Sequence, residues 1–434
     1  MTLDVRQPLP IDLPAVDEAP RMPAGFRAGA VAAGIKPSGR LDLGVLAATG
    51  DPASVGATFT TNLLRAAPVT MSQLNLAQTE HDGKGNWGRA QAVLSTSGCA
   101  NAATGGDGER DQQQLMDALA SWLGGRPEHV LAMSTGLIGT RLPVDRLRQP
   151  LRRLVTGGLA TSDEALAALA EQMCTTDTRR KSATVSLDLP APGGAARTVT
   201  VSGIAKGVGM IHPRMATMLA LVLTDAAVEP WLLYEMLLSA TERTWNQLTV
   251  DGDTSTNDTV FLLASGAAGT LPLAAGSDEH FELGRAVMAV ARALARQQAA
   301  DGEGATTLIT CQVSGARDDR DARAIARSVV ASSLVKAAVH GRDPNWGRIA
   351  AAVGNALVDG RPVTLVPEVL AVSIGGLPVF AGAPLSFDRG RLARAMDTPE
   401  LLIRLDVGGG PGVGEAFGCD LSEQYVIENS AYST

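Results

Sequence analysis

Between Lys206 and Thr217 runs the segment Lys206-Gly-Val-Gly-Met-Ile-His-Pro-Arg-Met-Ala-Thr217, which ends on a hydroxyl preceded by a small residue. A threonine hydroxyl is a weak nucleophile until a base takes its proton. If the chain breaks between Ala216 and Thr217, the new α-amine, with an ordinary pKa near ~7.7–8.0, supplies that base beside its own side chain. The same residues also fit a glycine loop between two buried strands. Ser134-Thr135-Gly136 is open in the same way. It reads as a plain turn, or as a hydroxyl and an amide N–H that point at one spot after a strand. Asp251, Asp253 and Asp258 lie close together within Val250 to Thr259. They resemble a hard-cation loop but lack the glycine and closing glutamate of an EF-hand, so a hydrogen-bonded structural loop is expected and no metal. His212 is expected to be local structure. A Gly-x4-Gly-Lys-[Ser/Thr] phosphate loop and a His-Glu-x-x-His pair are both absent.

These residues need elements to position them. Thr198 to Ile204 alternates as a strand leading into the segment, and the apolar run Met218 to Leu223 leads away. Gly207, Gly209 and Pro213 stop period-2 patterning from passing through. Further strands are expected at Phe26 to Ala33, Leu43 to Ala48, Gly56 to Thr61, Val93 to Ser97, His129 to Ser134, Val185 to Leu189, Val260 to Ala264 and Thr306 to Val313. Helices are expected at Asp111 to Leu123, Asp163 to Cys174, Pro230 to Trp245, Phe281 to Ala300 and Asp321 to Val339. Residues 1 to about 23 read as a loosely held arm, and Asp343 to Arg348 as a packed turn. Strands dominate before Thr217 and long helices after it, which suits layered α+β architecture better than a doubly wound parallel sheet.

The chain has 434 residues, 45% apolar and 3% aromatic, with a formal charge of −8. Such a core is built from Ala, Val, Leu and Ile and is large enough to fold alone. The acidic balance, with no basic stripe against it, excludes nucleic acid and acidic lipid as expected partners. Arg179-Arg180-Lys181 is the longest basic run and reads as a solvated turn. Cys99, Cys174, Cys311 and Cys419 are widely spaced and are expected as free thiols. No apolar run is long enough to span a bilayer and no secretory signal is evident, so a cytoplasmic protein is expected.

The cleavage-like segment, extended to Leu219, resembles that of the ornithine acetyltransferase (glutamate N-acetyltransferase) family. Further family motifs recur in order: Thr96 to Gly105, Ser134 to Gly139, Met173 to Thr178, Val250 to Thr259, Asp301 to Gly304, Gly341 to Arg348 and Glu428 to Thr434. The resemblance implies an N-terminal-nucleophile fold with a second α/β lobe, self-cleaved into residues 1–216 and 217–434, the second lobe falling within about 265–434. It implies an acyltransferase of arginine biosynthesis that carries acetyl from N-acetylornithine to glutamate on Thr217. Thr135 and Gly136 would form the oxyanion hole. Thr175, Lys206, Glu303, Asn429 and Thr434 would bind substrate, with Lys206 on a carboxylate and Glu303 on the cationic end of ornithine. No cofactor is implied, although some relatives accept acetyl-CoA as donor. The cleaved chains would associate as a dimer or higher oligomer. Arg214, and Trp245 where the family more often has Phe, depart from the pattern. They leave open a specialised-metabolism paralogue acting on ornithine-like or guanidino amines. A related aminopeptidase or amidase, and a binding protein on the same scaffold, are the remaining alternatives.

Overall fold

A computed structural model of the protein describes residues 12–80, 83–212 and 218–431. Three main sheets carry the fold. A four-stranded sheet runs Phe26–Val31, Leu43–Ala48, Ala92–Cys99, Val130–Leu137 in spatial order. A six-stranded sheet runs Trp87–Ala90, Ala53–Phe59, Thr259–Ala264, Leu219–Thr224, Ala196–Lys206, Lys181–Pro190. Most pairs are antiparallel. Ala92–Cys99 with Val130–Leu137 and Leu219–Thr224 with Thr259–Ala264 are parallel, each joined by a connection that holds a helix.

Period-2 alternation decides how these sheets stack. Leu219, Leu221 and Leu223 face a core shared with Leu46, Val93, Leu131 and Met133 of the four-stranded sheet. Ala220 and Val222, on the opposite face, pack with Leu233, Leu237, Val287 and Leu294 from the helices Pro230–Arg243 and Asp278–Ala300. The outer face of the four-stranded sheet packs Val45, Leu94 and Ala132 against Leu115 and Leu119 of Gly105–Leu123 and Leu147 of Val144–Arg153. The layers are therefore helix, sheet, sheet, helix, and the fold is mixed α/β as expected. A third sheet, Leu377–Ala381, Ala371–Ile374, Glu400–Asp406, Leu308–Ala316, Gly412–Cys419, has its own core with Ile325, Val329 and Val353.

Several local expectations are corrected. Asp321 to Val339 is two helices, Asp319–Ala331 and Ser333–His340, because the Ser332 side chain accepts from the Val335 N–H and starts the second. The helices Ala67–Thr79 and Val144–Arg153 were not anticipated. Residues 12 onward are not a loose arm. Asp17 exchanges backbone hydrogen bonds of 2.9 and 2.7 Å with Thr184 at the sheet edge, and Leu13 and Val16 pack on the core. Residues 1–11 lie outside the described residues. Lys181 is fully buried rather than part of a solvated turn.

Candidate active site

The strand Val130–Leu137 lies parallel to Ala92–Cys99, with Thr135 opposite Ser97 and Gly136 opposite Gly98. Gly136 has φ +128°, and a Cβ there would run into the Gly98 backbone. Only glycine permits that approach. It turns the strand end so that Thr135 and Gly136 line one pocket with Thr175, Thr176, Lys206, Gly209, Asn257, Glu303 and Asn429. Thr135 is 2% exposed. Lys206 Nζ donates to Thr135 Oγ1 at 3.3 Å. An ammonium only donates, so this contact takes a lone pair and leaves the Thr135 O–H free to point into the pocket.

Glu303 sits between Gly302 and Gly304 and receives hydrogen bonds from Thr176 Oγ1 at 2.9 Å and Asn429 Nδ2 at 2.8 Å. No Lys or Arg pairs with it among the described residues, so its charge faces the pocket with polar partners alone. Gly209 makes the approach possible: a Cβ at that position would occupy the space of the Glu303 carboxylate.

A buried ionic cluster supports Lys206 from behind. Asp177 Oδ2 lies 3.8 Å from Lys206 Nζ, and Lys181 Nζ donates to Asp177 Oδ1 at 2.7 Å and Asp301 Oδ2 at 2.6 Å. Asp177 also accepts the N–H groups of Gly207 at 2.8 Å and Thr175 at 3.1 Å. Burial opposes the Asp177 charge, but Lys206, Lys181 and the Gly207 N–H together hold its carboxyl below the usual carboxylate range. Burial likewise works against the Lys181 charge, and Asp177 and Asp301 outweigh it and raise its pKa.

Both ends of the segment that carries the proposed cut are pinned. Asp251 accepts from Met210 N–H at 2.5 Å and Ile211 N–H at 2.8 Å, stabilising Met210 at its left-handed φ of +52°. His212 Nδ1 lies 3.2 Å from Thr249 Oγ1. Downstream, Asp258 Oδ1 accepts the Met218 N–H at 3.0 Å. Burial raises the carboxyls of both Asp251 and Asp258, the latter well above its ordinary value. The acidic loop is thus a clamp on the segment. Among the described residues, no group of three or more His, Cys, Asp or Glu side chains is placed to hold a metal ion.

The ArgJ family model matches residues 27–434. The chain belongs to the ArgJ family. The arginine biosynthesis bifunctional protein ArgJ of Parasynechococcus marenigrum is 45% identical over 413 residues, covering 95% of this chain and 94% of that protein. The ArgJ of Thermus thermophilus is 44% identical over 419 residues, covering 96% and 100%. Among solved structures, the argJ protein of Bacillus halodurans aligns at 36% identity with a TM-score of 0.46, over 48% of this chain and 96% of that one. ArgJ is the ornithine acetyltransferase family that the motifs resemble, and the chain is an acyltransferase of arginine biosynthesis.

Of the residues singled out from the ArgJ motifs, Thr135, Gly136, Thr175, Lys206, Glu303 and Asn429 are brought to one pocket. Ala216, Thr217, Arg214 and Thr434 lie outside the described residues. Trp245 does not line the pocket and is tied to it by hydrogen bonds: its Nε1–H donates to Gln298 Oε1 at 3.0 Å, and Gln298 Nε2 donates to the Lys206 carbonyl at 2.7 Å. Sequence reasoning missed Asp177, Lys181, Asp301 and Asn257. Asp177 lies inside the Met173 to Thr178 motif, where a lone acid in a helix-to-strand turn carries no signal of its own. Asn257 was equally hidden, although its Nδ2 donates to the carbonyls of Ala100 and Ser134 at 2.7 and 2.8 Å and ties the two Gly-rich strand ends together.

Proposed function

We propose that the chain transfers acetyl from N-acetylornithine to glutamate through an ester on Thr217, after cutting itself between Ala216 and Thr217. The α-amine takes the hydroxyl proton while Thr217 Oγ attacks the acetyl carbon. Charge on the carbonyl oxygen is met by the Thr135 hydroxyl and the Gly136 N–H, the kind of donor worth about 2.7–4 kcal/mol in a transition state. Ornithine leaves with the proton, and the glutamate amine then attacks the ester in the same pocket, giving ping-pong kinetics. Lys206 holds the α-carboxylate common to both substrates, Glu303 receives the cationic end of ornithine, and Thr175, Asn429 and Thr434 complete the set that binds substrate. No cofactor is required, and acetyl-CoA is an alternative donor. Residues 1–216 and 217–434 remain together as αβ units that pair into a dimer or larger oligomer, with a second lobe inside 265–434.

The observation that carries this reading is the convergence on one pocket of Thr135, Gly136, Lys206 and Glu303, a carboxylate with no cationic partner among the described residues. The test is a denaturing reducing gel with intact masses, followed by acetylornithine-plus-glutamate assay of the same sample. Two chains of 216 and 218 residues are expected from the cut after residue 216 of 434. Thr217→Ala is expected to give one full-length band and no transfer. A wild-type chain that stays whole yet transfers acetyl sinks the mechanism.

A further inference from the structure

Thr176 lies on the turn that follows the helix Asp163–Met173, partly buried, and its hydroxyl donates to Glu303 Oε1 at 2.9 Å. A carboxylate only accepts, so the hydroxyl must direct its one proton at Glu303. The two residues stand 127 positions apart. One ammonium nevertheless fastens their neighbours: Lys181 Nζ donates to Asp177, next to Thr176, at 2.7 Å and to Asp301, two residues before Glu303, at 2.6 Å. Asp177 Oδ2 also accepts the Thr175 N–H at 3.1 Å, and Asp301 Oδ2 accepts the Thr178 N–H at 3.2 Å, so the turn is held on both sides of Thr176. Across the contact, the Glu303 N–H donates to the Val208 carbonyl at 2.9 Å. The second donor to Glu303, Asn429, is exposed on the last helix, Glu423–Ala431. Thr176 is therefore the donor on the anchored side.

We propose that Thr176 is a specificity-determining residue: by fixing the Glu303 carboxylate, it sets how strongly the pocket prefers a donor with a cationic end over a neutral one. The inference rests on the reading above that Glu303 receives that end. Each carboxylate oxygen offers about two lone pairs. Thr176 takes one on Oε1 and Asn429 takes one on Oε2, which leaves both oxygens able to accept from an ammonium. A hydroxyl orients the group without cancelling its charge, which a cationic partner in the same place would do. Glu303 otherwise sits between two glycines, Gly302 and Gly304, in a loop with little bulk to confine it. Without the hydroxyl its side chain gains rotamer freedom, and a ligand that uses the carboxylate has to remove that freedom on binding. The cost falls on a cationic donor and not on one that makes no use of Glu303. A threonine that only shaped the turn would affect both donors alike.

Thr176→Val keeps the branched shape and removes the proton that Glu303 accepts, whereas Thr176→Ser keeps the proton. The experiment sets N-acetylornithine in competition with N-acetylnorvaline, the same carbon chain without its terminal ammonium, read as a rival donor or as an inhibitor of transfer to glutamate. Hydrogen bonds to charged groups are the strong ones, so the preference for N-acetylornithine is expected to fall ~10–10²-fold in Thr176→Val. In Thr176→Ser it is expected to stay within about threefold of wild type. Because Thr176 acts through Glu303, adding Thr176→Val to Glu303→Gln is expected to leave the preference where Glu303→Gln alone puts it. Thermal melts check that each variant is folded, and if Thr176→Val is not, Thr176→Ala decides by the same ratio. An unchanged preference in the variant without the hydroxyl, an equal loss on both donors, or a further fall in the double variant overturns the assignment of Thr176. Glu303→Gln distinguishes the two levels: if it changes the preference while Thr176→Val does not, Thr176 alone is wrong. If Glu303→Gln itself leaves the preference unchanged, the reading of Glu303 falls and the role of Thr176 falls with it.

Discussion

A hydroxyl and a carboxylate in the same pocket make different demands on the substrate, and mutation separates them. Thr135 is asked to act only when charge develops on the acetyl oxygen, and Lys206 leaves its O–H free to do so. Thr135→Ala is therefore expected to lower the turnover number at least ~10²-fold with little change in Michaelis constant. An unchanged turnover number with a raised Michaelis constant would make it a ground-state contact instead. Glu303 is asked to recognise charge. Its two oxygens take hydrogen bonds from Thr176 and Asn429, which orient the carboxylate without neutralising it. A cationic side chain entering the pocket completes the pair, whereas Glu303→Gln leaves that cation without a counter-charge. Glu303→Gln is expected to weaken N-acetylornithine far more than an uncharged N-acetyl amino acid, with both chains still formed. Equal losses for the two donors would show that Glu303 organises the site rather than reads the ligand.

The elements that bring these side chains together owe much to glycine. Gly209 lies flat beneath the Glu303 carboxylate, and a methyl group there would displace it. Gly209→Ala, at a position facing a side chain rather than a strand, is expected to reproduce the specificity loss of Glu303→Gln and shift Tm by only a few degrees. Gly136→Ala meets backbone at φ +128° and is expected to cost several times more stability, read as the difference between the two melting temperatures. The strands and most helices flanking these glycines were legible because alternation and helical spacing report burial directly. Leu43–Ala48 matches its expected bounds, and Gly105–Leu123 ends at its expected residue. Ala67–Thr79 was missed because its buried face is made of Ala67, Pro68, Ser72 and Asn75 as much as Val69 and Leu76, so no apolar stripe marks it. Thr135, Gly136 and Glu303 were legible only through motif resemblance. Asp177, Lys181 and Asp301 were not legible, because a buried ion cluster is assembled from residues up to 124 positions apart (301 − 177) and has no local pattern.

That cluster is also where the layers of the molecule are fastened. Asp177 follows the helix Asp163–Met173, which packs on the four-stranded sheet; Lys181 opens an edge strand of the six-stranded sheet; Asp301 closes the helix Asp278–Ala300 that leads to the third sheet. With Lys206 the cluster holds two cations and two carboxylates, so any single removal leaves a buried charge unmatched. Lys181→Met keeps the length and volume but leaves Asp177 and Asp301 with Lys206 as the one remaining cation of the cluster, beside Asp177, and is expected to cost about 3–5 kcal/mol at neutral pH. The sign with pH follows from the wild-type carboxyl. Asp177 is held below its unfolded value, so its contribution to stability is fully present above about pH 5 and is lost as pH falls through the folded pKa. In Lys181→Met the lost cation lets Asp177 take up its proton in the folded chain at higher pH than in wild type. Acid then relieves the variant while it weakens the wild type. The difference in Tm between the two is expected to be greatest near pH 7 and to shrink steadily toward pH 4, in the uncut Thr217→Ala background so that both are single chains. A difference that stays constant across that range would mean that Lys181 contributes packing alone, and that the fastening of the layers is apolar.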